Sequence, residues 1–478
     1  MKVIFAASEC RPFIKTGGLA DVISSLPQAL KQQGVDVEVV LPRYGDIPFY
    51  FTSKMKRIAE FNVPVGWRKK NCFLDQLIYE DIKYYFIGNE YYFNRAGLYD
   101  QYDDAERFAF FSRAILEMLF YLDFKPDILH CHEWQTAPVS LFLHTHYGND
   151  AFYEDLKTVY TLHDIKYQGI FSREVLFDVL DLDESYFCPE ELEYYGQVNF
   201  LKGAVKYSDA VMTTSSSYVR KLQNPFHSGA LYQMFRYYED KLYGVVNGVD
   251  RNEFNPEKDQ HIFNNYARSA ESLDEKRENK LKLQEVFDLP VEKETPMLVI
   301  VSNLVSHKGL DLVLEILPEL LKEKMQLVVL GVGEERLEQE FKSAAWENTR
   351  QISTHITFNE DLARKIYAAG DLFLQPFRSE PCGTSPLIAL RYLTIPVIRR
   401  TGGLDKKIIS FREDREQGNG FVFESFSSSE LLETIRDALV CYQEQEEWEK
   451  LVDNVVNFDY CWLETAEKHK KIYQKLLT

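Results

Sequence analysis

The sequence predicts an α/β protein of two domains, each built on a parallel β-sheet of the nucleotide-binding type. Three observations support this fold class. The chain has 478 residues, more than the ~250–300 at which a single hydrophobic core stops growing. Short apolar, β-branched runs alternate with helical patterns, as buried parallel strands and crossover helices do. This alternation occurs twice, with a polar stretch in between.

The predicted strands define the two domains. The first series lies at residues 3–7, 37–41, 84–87, 127–131, 158–162, 210–214 and 243–246, and the second at 297–301, 327–330, 356–358, 372–374, 396–398 and 421–423. The polar stretch between them, residues 250–296, contains one amphipathic helix at 276–287. We therefore predict a first domain over 1–250, a second over 251–460, and a helix at 461–478 that packs back on the first domain. Parallel sheets bind ligands beyond the carboxyl ends of their strands, so two facing sheets predict a deep cleft between the domains.

Composition limits the partners and the compartment. A formal net charge of −19 without a basic stripe disfavours nucleic acid and other polyanions, but it is compatible with a neutral polymer or a small anion bound by local cations and N–H groups. The seven cysteines are scattered, without a Cys-x-x-Cys pair, which indicates a reducing compartment. No segment has the pattern of a signal peptide or a membrane span. We predict a cytoplasmic protein.

Two glycine motifs stand at equivalent places in the two series. KTGGLADV at residues 15–22 follows the first strand and opens a helix, and TGGL at 401–404 follows the strand at 396–398. Paired glycines let the backbone approach an anion closely and direct N–H groups at it. Without Lys15 and Asp21 beside it, the first glycine pair would be explained equally well by a tight strand-to-helix turn. The recurrence of the glycine pair in both domains favours ligand binding.

Three further segments carry candidate polar groups. Glu380 lies on a turn that a proline and a glycine rigidify, which suits binding of sugar hydroxyls better than an ordinary acidic loop. His163 ends a strand and is compatible with a sugar contact or with a buried structural role. Lys308, before a helix, is a candidate phosphate contact or a solvent-facing lysine. The His130 and His132 pair lacks the further ligands that zinc needs, so a metal is the less favoured interpretation.

Taken in order, these segments resemble the bacterial glycogen synthase and plant starch synthase family. The matching segments are KTGGLADV at 15–22, LPRY at 41–44, HCHEWQTA at 130–137, NGVD at 247–250, HKGL at 307–310, EPCG at 380–383 and RTGGL at 400–404. The resemblance continues to residues 458–462, and so covers essentially the whole chain.

The resemblance implies a GT-B fold and a transferase that uses no metal or other cofactor. The implied reaction moves glucose, usually from ADP-glucose, to the non-reducing end of an α-1,4-glucan with retention of configuration. The implied partners are a glucan such as glycogen and a nucleotide-sugar. The resemblance does not decide whether the donor is ADP-glucose or UDP-glucose. It also leaves open whether the chain forms a homo-oligomer or assembles with a partner synthase subunit.

The resemblance also implies roles for individual residues. The implied catalytic residues are Glu380, His163, Lys308 and Asp21. The implied donor-binding residues are Lys15, Gly18, Asn247, Asn303, Phe358, Cys382, Gly383, Thr401 and Gly402. The implied acceptor-binding residues are Tyr99 and Asp21. Within these sets, Lys15, Gly18 and Lys308 hold the diphosphate, and Phe358 packs on the base.

One departure from the family pattern bears on activity. The family has Ser-Arg-Leu where this chain has Asn303 between serine and leucine, and the family's arginine contacts the diphosphate. Loss of such a charged contact typically costs ~10²–10³ in rate. One hypothesis is an active synthase in which Lys308, the glycine-turn N–H groups and Arg378 or His307 supply the charge. The alternative is a weak or inactive homologue that binds glucan or nucleotide as a partner subunit.

The first domain departs from the pattern as well, since Glu133 and Gln135 stand where the family has aspartate and histidine. Retention of Lys15, Lys308 and Glu380 favours the active enzyme.

Overall fold

The computed structural model describes residues 1–378, 383–404, 407–458 and 461–478. Within these residues the chain forms two compact units. The first unit comprises Met1–Asn247 together with Trp462–Thr478, and the second comprises Gly248–Cys461. The first unit is therefore built from two separate parts of the sequence.

The first unit is organised on a large sheet with the strand order β12-β11-β7-β6-β1-β2-β5-β4-β3. The strands of this unit are β1 (Lys2–Ala6), β2 (Asp36–Pro42), β3 (Lys56–Val65), β4 (Arg68–Tyr79), β5 (Ile82–Gly88), β6 (Ile128–His132), β7 (Lys157–Leu162), β8 (Ile170–Phe171), β9 (Glu193–Tyr194), β10 (Gln197–Asn199), β11 (Ala210–Thr213) and β12 (Leu242–Gly244). Strands β8, β10 and β9 form a small separate sheet. From β12 to β5 all neighbours are parallel, and β1 lies at the centre.

The long hairpin β3–β4 does not appear among the predicted strands. It pairs antiparallel at the edge of the large sheet, where one side of a strand can face water. The first part of β3 is accordingly exposed. Such a strand has no continuous apolar run. A prediction based on continuous apolar runs, which identifies buried parallel strands, therefore does not find it.

Helices cover the large sheet. The helices of the first unit are α1 (Gly18–Gln32), α2 (Phe49–Thr52), α3 (Glu90–Phe93), α4 (Asp104–Met118), α5 (Pro138–Thr145), α6 (Val175–Asp178), α7 (Phe200–Tyr207), α8 (Ser216–Leu222), α9 (Pro225–Ser228), α10 (Tyr232–Tyr237) and α18 (Trp462–Leu477), the last numbered by its place in the whole chain. Helix α18 buries Trp462, Ala466, His469 and Tyr473, whose spacing of four, three and four residues forms one helical stripe. That stripe joins the core of the first unit.

The second unit repeats the parallel design with the strand order β15-β14-β13-β16-β17-β18. Its strands are β13 (Met297–Val301), β14 (Gln326–Leu330), β15 (Ile352–His355), β16 (Leu372–Gln375), β17 (Ile395–Arg399) and β18 (Phe421–Phe423). Its helices are α11 (Leu273–Val286), α12 (Leu310–Leu320), α13 (Glu335–Glu347), α14 (Glu360–Ala369), α15 (Thr384–Arg391), α16 (Ser428–Gln443) and α17 (Gln445–Asn457). All neighbouring strands are parallel.

One predicted strand of the second unit is misplaced. The strand predicted at 356–358 is wrong, because the chain pairs at Ile352–His355 instead. That segment contains serine, threonine and histidine, and it forms an edge strand, where a continuous apolar run is not required. Phe358 consequently lies in the loop before α14.

Each unit has its own hydrophobic core, formed by its strands and the inner faces of its helices. Among the described residues, no helix is long and apolar enough to cross a membrane.

Candidate active site

In the first unit, the predicted site residues follow neighbouring parallel strands. The glycine turn at 15–18 comes after β1, His163 follows β7, and Asn247 follows β12. The carboxyl ends of parallel strands lie at one edge of a sheet, which is where such sheets bind ligands. Asn247 is buried. The fold therefore places these residues at a common edge.

Glu9 organises the turn between β1 and α1. Its buried carboxylate accepts hydrogen bonds from the backbone N–H groups of Thr16, at 2.6 Å, and Gly17, at 3.1 Å. It also accepts one from the hydroxyl of Tyr99, at 3.1 Å, and that hydroxyl lies 2.7 Å from Ser8 Oγ. These contacts connect the glycine turn directly to Tyr99, a residue predicted to bind the acceptor.

The cationic part of the same turn is held by Asp21. Lys15 Nζ lies 3.1 Å from Asp21 Oδ1, and Arg11 Nε lies 3.6 Å from the same oxygen. A Cβ added at Gly18 would meet no atom within 4 Å, so the first turn of α1 opens onto empty space. An ammonium group beside exposed backbone at a helix N-terminus is suited to an anion.

Glu133 and His163 meet where β6 and β7 end. The backbone N–H groups of His163 and Asp164 donate to Glu133 Oε1 at 2.8 and 3.2 Å, while Oε2 is buried with no hydrogen-bond partner among the described residues. Burial raises the pKa of Glu133 to about 8, and burial lowers the pKa of His163 to about 4. Both side chains are thus predominantly uncharged near pH 7, which suits recognition of a neutral sugar.

In the second unit, Lys308 stands on the turn between β13 and α12. Gly309 has φ of 76°, and a Cβ there would lie 2.0 Å from the carbonyl oxygen of Pro376, so glycine alone permits this close approach. Lys308 Nζ lies 5.2 Å from the ring centre of Phe377. The close approach thereby fixes Lys308 beside the loop that follows β16.

Two arginines hold that loop. Arg399, at the end of β17, donates to the backbone oxygens of Phe377, at 2.7 Å, and Arg378, at 2.6 Å. The Arg378 guanidinium pairs with Asp311 at 3.0 Å and lies 4.0 Å from the ring centre of Phe426. Arg378 therefore brings a partly exposed positive charge to the first turn of α12.

The remaining predicted residues of the second unit also lie beyond the carboxyl ends of their strands. Asn303 is exposed after β13, and Phe358 is 61% exposed after β15. Thr401 is buried after β17, and Gly402 begins the short turn Gly402–Leu404. Gly383 precedes α15 with φ of 65°. The predicted Glu380 and Cys382 lie outside the described residues.

No group of three or more histidine, cysteine, aspartate or glutamate side chains is arranged to hold a metal ion within the parts of the chain that the structure describes. His130 is instead bonded through its two ring nitrogens to Tyr473 and Thr161, each at 2.6 Å.

Known families and proteins match the chain from end to end. Residues 2–237 match the starch synthase catalytic domain family, and residues 282–453 match the glycosyl transferases group 1 family. A glycogen synthase from Desulforamulus reducens is 46% identical over 477 residues, which cover 100% of this chain and 99% of that protein. A glycogen synthase from Alkaliphilus metalliredigens is 46% identical over 476 residues, covering 100% of both chains.

The chain belongs to the bacterial glycogen synthase and plant starch synthase family. It is a glycosyltransferase, and its fold is of the GT-B type. The solved catalytic domain of starch synthase IV from Arabidopsis thaliana, bound to ADP and acarbose, superposes with a TM-score of 0.92 at 28% identity, covering 99% of each chain. The resemblance stated from the sequence motifs is confirmed, as is the predicted fold class.

Three residues of this family member were missed as site candidates. The sequence does not single out Glu9, because its contact with Tyr99 joins positions far apart in the chain, although its place shortly after the central strand is a usable signal. Arg399 ends a strand in the same way. In the sequence, Glu133 is distinguished only by standing where the family has aspartate. Its backbone at φ 63° and ψ 172° is a conformation that non-glycine residues adopt mainly where function or packing enforces it, and sequence does not reveal it.

Proposed function

We propose that this chain transfers glucose from ADP-glucose to the non-reducing end of an α-1,4-glucan, with retention of configuration. The observation that carries the proposal is the presence, in each unit, of a lysine on a glycine-containing turn beyond a strand's carboxyl end, at Lys15 and Lys308. Ammonium groups and helix N-termini are the donors that a diphosphate needs. The ADP and acarbose held by the Arabidopsis starch synthase domain support this donor and a glucan-like acceptor.

The proposed roles in the first unit follow from its contacts. Lys15 and Gly18 contact the diphosphate, since they combine a cation with open backbone at the start of α1. Tyr99 and Asp21 face the acceptor or donor sugar, with Glu9 fixing Tyr99. His163 and Asn247, both buried at strand ends, hydrogen-bond the donor glucose.

The proposed roles in the second unit centre on the leaving group. Lys308 stabilises the negative charge that develops on the diphosphate, which is the main demand when the leaving group itself assists attack by the acceptor hydroxyl. Thr401, Gly402 and Gly383 surround the donor with backbone groups, and Phe358 packs on the base. Arg378, paired with Asp311 at 3.0 Å, supplies part of the charge that Asn303 does not.

Glu380 faces the donor glucose and Cys382 contacts the donor, both as the family resemblance implies. We further propose that the enzyme needs no metal or other cofactor and works in the cytoplasm. The described cysteines are free thiols, which supports a reducing compartment. No nucleic acid or membrane partner is proposed, and a homo-oligomer or partner synthase subunit stays a prediction.

The test is transfer of labelled glucose from ADP-glucose and, separately, from UDP-glucose to glycogen. The full chain is assayed beside a Glu380→Ala variant, with and without EDTA. We expect Glu380-dependent incorporation, preferentially from ADP-glucose and insensitive to EDTA. Preference for UDP-glucose would refute the proposed donor, and absence of incorporation from both donors would refute the proposed reaction.

A further inference from the structure

His132 lies behind His163 at the ends of β6 and β7. Its Nδ1 is 3.2 Å from Nε2 of His163, and the two rings stack with 20° between their planes. Both side chains are buried. The hydrogen bond between two ring nitrogens requires one proton, so one histidine donates and the other accepts.

Both imidazoles are neutral near pH 7. Burial lowers the pKa of His163 to about 4 and holds the pKa of His132 well below its ordinary value. A neutral imidazole carries its single ring proton on either Nδ1 or Nε2. The direction of the shared bond therefore fixes the tautomer of both residues at once.

The surroundings of His132 select the direction. Its Nε2 is buried and has no hydrogen-bond partner among the described residues, and its ring stacks on Phe5 with centres 5.2 Å apart. A proton on Nε2 would leave a buried N–H group without an acceptor, and such groups are rarer in folded proteins than unpaired acceptors. The proton of His132 consequently resides on Nδ1 and is donated to His163.

We propose that His132 is a positioning residue that fixes His163 as the tautomer protonated on Nδ1, so that His163 offers the donor sugar a hydrogen-bond donor. This proposal rests on the function proposed above, because that function makes the sugar hydroxyl the group that His163 contacts. The hydroxyl oxygen accepts from Nδ1–H and keeps its own proton for another partner. With the opposite tautomer, His163 would present an acceptor.

A second layer of contacts holds His132 in place. The ring of His130 lies 4.2 Å from that of His132, and hydrogen bonds of 2.6 Å to Tyr473 and Thr161 restrain it on both sides. Helix α18 therefore contributes to the orientation of His163 through Tyr473.

The direct test is nitrogen-15 NMR of the full chain labelled at histidine. The resonances of His163 are assigned by their loss in a His163→Gln variant. We expect a protonated Nδ1 and an unprotonated Nε2 for His163. A protonated Nε2 would overturn the proposal. The readout does not depend on turnover, so a chain with the expected tautomer but no glucose transfer would refute the proposed function while leaving the tautomer assignment intact.

Two variants separate positioning from simple packing. His132→Asn keeps an N–H donor near the place of Nδ1, whereas His132→Leu removes it at similar volume. We expect the leucine variant to lose about 10-fold or more in kcat, with the KM for glucan unchanged, and the asparagine variant to recover most of that loss. Equal losses in both variants, with equal thermal stability, would overturn the proposal. If the leucine variant does not fold, the nitrogen-15 spectrum of the natural chain decides alone, and a protonated Nε2 on His163 overturns the proposal.

Discussion

The candidate sites of the two units differ in how their polar groups are held. In the first unit Glu9, Glu133 and His163 are all buried, and hydrogen bonds to neighbouring loops fix them. In the second unit Asn303 and Phe358 are exposed, and the Arg378 side chain is 55% exposed. These three groups of the first site are thus tied to the core, whereas Asn303, Phe358 and Arg378 of the second site lie on exposed turns.

The difference matches the two parts of the proposed donor. A neutral sugar offers only hydroxyl groups, so recognition requires uncharged partners with fixed directions, and burial supplies both. A diphosphate carries its own charge and is attracted by cationic side chains over a longer range. Substitutions in the first site should therefore change stability as well as activity, and those in the second should change activity alone.

The largest expected effect is at Lys308. Lys308→Gln should lower kcat/KM for the donor by about 10²–10³, since a charged contact that strengthens in the transition state is lost. The thermal midpoint should stay close to that of the natural chain. Lys322→Gln, which removes a surface lysine paired with Glu319, is the matched control and should leave turnover unchanged. A loss of stability comparable to the loss of rate would break the contrast between the units.

A gain of roughly 10-fold or more in kcat is expected for Asn303→Arg, because it restores a cation beside the diphosphate. Asn303→Gln adds length without charge and should give no gain. Steady-state assays at saturating glucan measure both. If arginine brings no gain, the charge at this place is already supplied by its neighbours, among which Arg378 is our candidate.

Glu9→Gln tests the expectation that substitutions in the first unit change stability as well as activity. An amide in place of the carboxylate weakens the hydrogen bonds to Thr16 and Gly17, so the free energy of unfolding should fall by about 1–3 kcal/mol and activity should fall with it. Denaturant melts and the glucose-transfer assay follow the two losses. Glu190→Gln, at an exposed position, should change neither. If Glu9→Gln lost activity but kept its full free energy of unfolding, Glu9 would behave like the exposed residues of the second unit. The contrast between the two units would then be contradicted.

The last prediction concerns the pH dependence of stability at Glu133. The pKa of about 8 in the folded state lies above that of the unfolded chain, ~4.3. The stability that Glu133 contributes is present below pH ~4.3 and is lost, by at most about 1.4 kcal/mol per pH unit, as pH rises towards 8. The free energy of unfolding of Glu133→Gln, relative to that of the natural chain, should therefore increase as pH rises from 5 to 8. A constant difference in thermal midpoint across this range would contradict the raised pKa.

The sequence predicts most of what depends on local patterns. Buried parallel strands such as β13 are continuous apolar runs, and the glycine turns are recognisable from their place after strands. The sequence does not predict the edge strand β3 or its antiparallel neighbour β4, and it misplaces the edge strand β15, because strands that can face water on one side have no continuous apolar run. Glu9 and Glu133 escaped for another reason. Their importance lies in contacts with Tyr99 and with the His163 backbone, which only the folded chain brings together.

Helix α18 has a consequence for how the molecule is made. Its residues are translated after the whole second unit, yet Tyr473 bonds to His130 and Thr465 bonds to the backbone oxygen of Val246. During synthesis, the surface of the first unit beside β6 and α1 therefore stays uncovered until some two hundred further residues have been translated. The second unit has the opportunity to fold first, and the earlier half of the chain is completed last.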